Sequence, residues 1–254
     1  MYLLYISLII VIIIIGVLIL RIIVNNNLFY PVRHNYNYPN EIIIPEELYA
    51  IFIDKGPNTP IIIHSQGNAG NISDQLFLIN YLKDIPVSLL LYEYRGFGKS
   101  PGTPSIENII EDGESVYNYV KDKYPNRKII LCGRSMGSAV SFHLANKFKY
   151  DISGLIIISG YSSLSNVIND VTYSGIGSLL SYIMLLPDNM NNAQHLRCPV
   201  LFLHSDDDQL INISHAEKLA TVIPTRVTLL KGKGGHNFCF ENFIPDIASF
   251  ISSL

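Results

Sequence analysis

The chain has 254 residues, 48% of them hydrophobic and only 15% charged, with a formal net charge of -3 and a mean hydropathy of +0.27. A charged fraction well below the roughly 25% of ordinary soluble domains excludes a disordered chain and directs attention to a membrane segment. The weakly acidic balance excludes a basic nucleic-acid binder, and the three widely spaced cysteines, Cys132, Cys198 and Cys239, form neither a disulfide framework nor a zinc pattern.

The first element is an aliphatic run from Tyr2 to Leu20, broken only by Tyr5, Ser7 and Gly16, which resumes after Arg21 as Ile22, Ile23 and Val24. Such a run crosses a hydrocarbon core of about 30 Å as a helix. A cleaved signal peptide would carry a basic start, a shorter apolar stretch and small residues at the cut, whereas Arg21 and Asn25, Asn26 and Asn27 follow here. Residues 1–24 therefore read as a single-pass anchor that meets the membrane through residues 2–24. No Lys or Arg precedes the helix and Arg21 and Arg33 follow it, which places the remainder of the chain in the cytoplasm. Sequons at Asn71 and Asn212 would accept glycans only if that remainder were luminal.

Residues 25–45, rich in Asn, Tyr and Pro, read as a connector, and 46–254 as one domain. Strands are expected at 49–53, 61–64, 88–92, 128–132, 154–158, 200–204 and 226–230, with helical patterns at 73–83, 105–123, 136–148, 214–222 and 242–253. Alternation of this kind gives an α/β fold, a mostly parallel sheet with helices on both faces. Residues 161–196 lack a strand signal and read as a short helical cap, whose aliphatic stretch Leu179 to Leu186 is either cap core or an apolar lid. Ligand sites in such sheets gather at the carboxyl ends of the strands.

Chemistry is concentrated at those ends. The strand ending Leu131-Cys132 runs into Gly133-Arg134-Ser135-Met136-Gly137 and then into a helical pattern. A sharp strand-to-helix turn needs small residues two before and two after the serine, and it lifts Ser135 Oγ above the sheet, where the Met136 amide can donate to an oxyanion. A second G-x-S-x-G, Gly98-Lys99-Ser100-Pro101-Gly102, fails because Pro101 has no N–H and no helix begins there. Gly96 to Ser100 mimics the end of a phosphate loop, but Glu93 stands where its first glycine is required.

A serine hydroxyl needs a histidine to take its proton, and the histidine needs a carboxylate to fix its tautomer. After such a turn the partners follow in the order acid, then histidine. His236 follows the last strand on the loop Gly232-Lys233-Gly234-Gly235, while His34, His143, His195, His204 and His215 have blander positions in connectors, helices or strand ends. Asp206, Asp207 and Asp208 follow the preceding strand, and one of them would suffice. Three consecutive acids also fit a solvated loop or a weak cation site, and position favours Asp208. The loop Gly67-Asn68-Ala69-Gly70-Asn71 offers the Asn68 amide as the second oxyanion donor. An ordinary Gly/Asn turn is the competing reading.

Five segments stand in one order: Gly67 to Asn71, Glu93-Tyr94-Arg95-Gly96-Phe97-Gly98-Lys99-Ser100, Gly133 to Gly137, His204 to Asp208, and Gly235-His236. In these the chain resembles the α/β-hydrolase superfamily over residues 45–254, and is similar to its membrane-anchored, Bem-like group of serine esterases. The resemblance implies Ser135 as nucleophile, Asp208 as acid, His236 as base and the Met136 and Asn68 amides as oxyanion hole. Gln66 stands where a histidine usually precedes the loop glycine, Glu93 for an aspartate, Ser205 for a glycine and Asn212 for a proline. Gly160-Tyr161-Ser162-Ser163 replaces a proline-led opening of the cap.

The expectation is a membrane-tethered serine esterase or thioesterase that needs no metal and no organic cofactor. Its substrate would be an acyl ester, a lipid or an acylated protein. An inactive scaffold that kept the fold and a serine peptidase on the same fold are the alternatives.

Overall fold

The computed structural model describes every residue except Met1, Tyr36, Leu185 and Cys239, and every side chain among the rest except those of Leu3 and Leu4. The first helix, α1 (Tyr2–Leu28), is one unbroken 27-residue rod. Its segment Tyr5–Leu28 has a mean hydropathy of 3.3 and is not buried by the rest of the chain, so it is long and apolar enough to span a membrane.

Eight strands make the central sheet: β1 (Glu41–Ile44), β2 (Leu48–Ile53), β3 (Ile61–Ser65), β4 (Ser88–Tyr92), β5 (Ile129–Arg134), β6 (Ile152–Ile158), β7 (Val200–Ser205) and β8 (Val227–Gly232). Their spatial order is β8-β7-β6-β5-β3-β4-β2-β1. Only β2 runs against its neighbours β1 and β4, and the remaining pairings are parallel. This is the expected mostly parallel sheet, in which the interior strands β3, β4 and β7 are buried at every position. Continuous Ile and Leu runs such as Ile61-Ile62-Ile63 and Leu89-Leu90-Leu91 suit strands covered on both faces.

Helices α2 (Phe77–Tyr81), α3 (Ile106–Lys123), α4 (Gly137–Lys147), α8 (Ser214–Val222) and α9 (Ile244–Ser252) connect or flank the strands. Two apolar clusters result, one built around Leu90, Leu131, Val140 and Phe202, the other around Ile62, Leu89, Ile130 and Leu201. Ser105 begins α3 by accepting from the Asn108 N–H, an N-cap worth about 1 kcal/mol. The cap holds α5 (Leu164–Thr172), α6 (Ile176–Ile183) and α7 (Asn189–Ala193). Of its aliphatic stretch, Leu179 and Tyr182 are exposed and Met184 is buried, while Leu185 lies outside the described residues.

The stretch read as a connector is corrected by the structure. Helix α1 continues through Asn25, Asn26 and Asn27 to Leu28, and Glu41–Ile44 is the edge strand β1. Between them Tyr30–Pro31 pairs in parallel with Ala69–Gly70, and Phe29 is buried edge-on against Phe97 with ring centroids 6.4 Å apart. Burying such a ring stabilises by about 2–3 kcal/mol. His34 lies buried with its Nε2 3.0 Å from the Glu93 carboxylate. An Asn- and Pro-rich composition hid these contacts because their partners lie more than thirty residues away.

Candidate active site

The elbow forms where β5 meets α4. Gly133 lies against the backbone of Gly137 and Ser138, and Gly137 against the carbonyls of Ser65 and Gln66, so a Cβ at either position would collide with main chain. Ser135 between them holds φ at +50°, an uncommon conformation for a residue with a side chain. Its N–H donates to Ile158 O at 2.9 Å and its carbonyl accepts from Ser138 N at 3.0 Å. Strain at Ser135 is thus held by β6 on one side and the first turn of α4 on the other.

His236 arrives on the loop after β8, with Nε2 2.9 Å from Ser135 Oγ and Nδ1 2.8 Å from Asp208 Oδ2. Ser159 Oγ donates to the His236 carbonyl at 3.1 Å and fixes the loop from below. Burial pushes the Asp208 carboxyl up, but hydrogen bonds from His236, Ile211 N–H and Leu210 N–H outweigh it and hold the group below its ordinary range. An ionised Asp208 accepts from Nδ1–H, which leaves Nε2 as the acceptor facing Ser135 Oγ. All three residues picked from sequence therefore meet in one hydrogen-bonded chain.

The three aspartates separate by their contacts. Asp208 faces His236, whereas Asp207 Oδ1 accepts from the Gly234 and Gly235 N–H groups, each at 2.9 Å, and so pins the loop that carries His236. Hydrogen bonds from the Ser205 hydroxyl and those two amides hold the Asp207 carboxyl down at about 2. Asp206 is exposed. Asp207 is a positioning residue that sequence reasoning missed, since adjacent acids give no hint of which glycine amides they will meet. Among the described residues no cluster of His, Cys, Asp or Glu has the arrangement of a metal site.

His204, His215 and His143 are occupied elsewhere. His204 Nε2 donates to Ile211 O at 2.8 Å, closing the turn that presents Asp208. His215 accepts from the Ser162 N–H at 3.2 Å and donates to Asp170 at 3.1 Å, tying the cap to α8, and His143 pairs with Glu114 at 2.7 Å. Ser100, in the rejected second motif, is fully buried and bonds the Tyr49 N–H and the Glu93 carbonyl, each at 2.9 Å.

Opposite the elbow, the loop after β3 approaches so closely that a Cβ on Gly67 would lie 3.7 Å from Ser135 Cβ. Among the described residues, neither the Met136 N–H nor the Asn68 N–H donates to a protein acceptor. The cleft between elbow and loop encloses ≈ 570 Å³ and is lined by Ser135, His236, Asn68, Arg134, Asp74 and Leu210, among others. That volume lies within the range of small-molecule sites. Arg134 donates to Asn237 Oδ1 at 3.1 Å and contributes a positive charge to the cleft. Gln66 is buried, and neither atom of its side-chain amide has a hydrogen-bond partner among the described residues. The sequon residue Asn71 is buried as a helix cap, unlike the exposed Asn212.

The sequence pattern of the family described as Serine aminopeptidase, S33 matches residues 59–184. Protein YfhR of Escherichia coli (strain K12) is 31% identical over 192 residues, covering 73% of this chain and 66% of YfhR. The membrane protein YNL320W of Saccharomyces cerevisiae is 28% identical over 225 residues, covering 79% of this chain and 78% of the yeast protein. Among solved structures, the Pyrococcus furiosus esterase Pf2001 superimposes with a TM-score of 0.71 at 19% identity, covering 89% of this chain and 97% of that one. This last likeness is one of fold.

Proposed function

Because the chain belongs to the α/β-hydrolase superfamily, we propose that it is a membrane-tethered serine hydrolase that cleaves acyl esters or thioesters. The observation that supports this reading is the unbroken chain from Asp208 to His236 to Ser135, with contacts of 2.8 and 2.9 Å. In this mechanism Ser135 Oγ attacks the substrate carbonyl carbon while His236 Nε2 takes its proton. The former carbonyl oxygen becomes an oxyanion and accepts from the Met136 and Asn68 amides, each donor contributing about 10²–10³ in turnover. Collapse breaks the bond to the leaving oxygen or sulfur, which receives the proton from His236. Water, deprotonated by the same imidazole, then releases the acyl group and restores Ser135.

Residues 2–24 of α1 supply the tether, and Arg21 and Arg33 favour a cytoplasmic domain. A lipid ester or an acylated protein is the substrate such a tether brings within reach. The name of the matched family supports a second reading, an aminopeptidase, in which Asp74 in the cleft would meet a substrate ammonium group.

Fluorophosphonate labelling of the full chain in detergent tests the first reading. The native protein should label, and Ser135→Ala and His236→Ala should each lose about 10⁴ or more in labelling rate or ester turnover. Absence of labelling in folded native protein would leave the inactive scaffold. Faster cleavage of aminoacyl p-nitroanilides than of medium-chain p-nitrophenyl esters would favour the peptidase.

A further inference from the structure

The loop that carries the Asn68 amide is held by the segment that leaves the anchor helix. The Tyr30 N–H donates to Asn68 O at 2.8 Å and the Val32 N–H to Gly70 O at 2.8 Å. Asn68 Nδ2 donates to the last helical carbonyl, Leu28 O, at 2.7 Å, and Asn71 Nδ2 to Val32 O at 3.3 Å. Among the described residues, every hydrogen bond that Asn68 makes is to this segment. The near end of the loop is fixed separately, by Tyr94 Oη donating to Gln66 O at 2.9 Å. Beyond Gln66, Asn68, Gly70 and Asn71 are all held by the chain leaving α1.

The far side of the segment is equally tied down. The Gly98 N–H donates to Val32 O at 3.2 Å, Arg33 reaches the carbonyls of Ser100 and Gly102, and Phe29 is buried against Phe97. The segment is thus a rigid bar between α1 and the loop, with one edge on the domain and the other on Asn68 and Gly70.

We infer that Leu28–Val32 is a positioning strap for the oxyanion hole, so that the anchor helix and the Asn68 amide form one mechanical unit. The inference rests on the hydrolase reading above. A donor must sit where charge develops to stabilise it, and a loop free to turn its amide away loses that term without losing substrate contacts. The strap therefore acts on the transition state through Asn68 and touches no substrate itself.

Val32→Pro is the informative variant. The Val32 side chain is 53% exposed, so proline removes the N–H given to Gly70 O and little else, and proline suits an extended backbone. In the full-length protein in detergent, kcat should fall about 10-fold or more while KM stays within about 2-fold. The inhibition constant of an alkyl boronic acid, which forms a tetrahedral adduct on Ser135, should rise by the same factor. Partial unfolding would lower kcat and leave that constant unchanged. Val32→Ala, which keeps the N–H, should restore both values.

Hydrogen exchange gives a readout independent of turnover. The Tyr30 and Asn71 amides, both hydrogen-bonded in the native fold, should exchange about 10-fold faster in Val32→Pro and in Asn68→Ala, which keeps the Asn68 N–H but loses the bond to Leu28 O, with the amides of the elbow unchanged. Unaltered exchange in folded protein of both variants would overturn the strap, and so would a boronate constant that does not move in an active enzyme. Native protein that neither labels nor turns over ester would sink the hydrolase reading, and exchange would still decide the strap.

Discussion

The two halves of the cleft are built on opposite plans. The elbow, Gly133 to Gly137, draws its shape from its own two glycines, from the first turn of α4 and from the strands it touches, where Ile158 O accepts from the Ser135 N–H. The facing loop, Gly67 to Asn71, owes its shape to groups far along the chain, from Leu28 to Val32 on one side and Tyr94 on the other. A short local motif carries Ser135, whereas the facing Asn68 is held through groups distant in the chain. A site assembled this way has one half that resists distant change and one that responds to it.

The sharpest way to break this contrast is Gly137→Ala, where the elbow packs on the end of β3 and on the residue that leads into the loop. A Cβ there meets the carbonyls of Ser65 and Gln66, so the loop must move even though the substitution lies in the elbow. A loss of about 2–4 kcal/mol in stability is expected, with at least a 10-fold fall in fluorophosphonate labelling. A full-strength label at native Tm would show that elbow and loop are independent.

A smaller effect comes from pH. His64, at the end of β3 just before the loop, lies with Nε2 3.1 Å from Gln75 Oε1 and Nδ1 3.4 Å from Cys132 Sγ on β5. Burial holds its pKa down to about 4, against the hydrogen bond to Gln75 that raises it. The unfolded chain, with histidine near 6.5, takes up the proton first, so stability is full above about pH 6.5 and declines as pH falls from there toward 4. The loss attributable to His64 is on the order of 3 kcal/mol. His204 and His215 are lowered by burial too and add to the slope. Tm measured from pH 7.5 to 4.5 should fall in the native protein and fall less steeply in His64→Gln, and equal slopes would refute the assignment.

The smallest effect is expected at Gln66, whose amide is buried with no described partner. Replacing such a group by an apolar one of similar shape costs little. Gln66→Met should change the midpoint of chemical unfolding by no more than about 1 kcal/mol in either direction. A larger loss would mean that the amide has a partner essential to the loop.

Legibility followed the same division. Strands such as Ser88–Tyr92 and helices such as Ser214–Val222 have the bounds expected from periodicity, and Ser135, Asp208 and His236 were readable because turn chemistry marks each strand end. Edge strand β1 was not, since Glu41–Ile44 is four residues long, follows an Asn- and Pro-rich stretch, and leaves Ile43 exposed. Nor was the role of Asp207, whose partners Gly234 and Gly235 lie 27 and 28 residues away. The docking of Tyr30 on Asn68 is made through backbone groups, which every residue carries and no sequence pattern announces.

The unbroken course of α1 sets a height. On the proposed tethering the apolar stretch to Val24 lies in the bilayer, and the four further helical residues to Leu28 rise about 6 Å along the axis. Arg21 lies 3.8 Å from Glu107, and Asn25 Oδ1 accepts from Ile106 N at 3.3 Å, so the top of the helix is braced against α3. A domain on such a post cannot swing out on a leash. The tether proposed above would therefore hold the cleft at one height rather than let it roam.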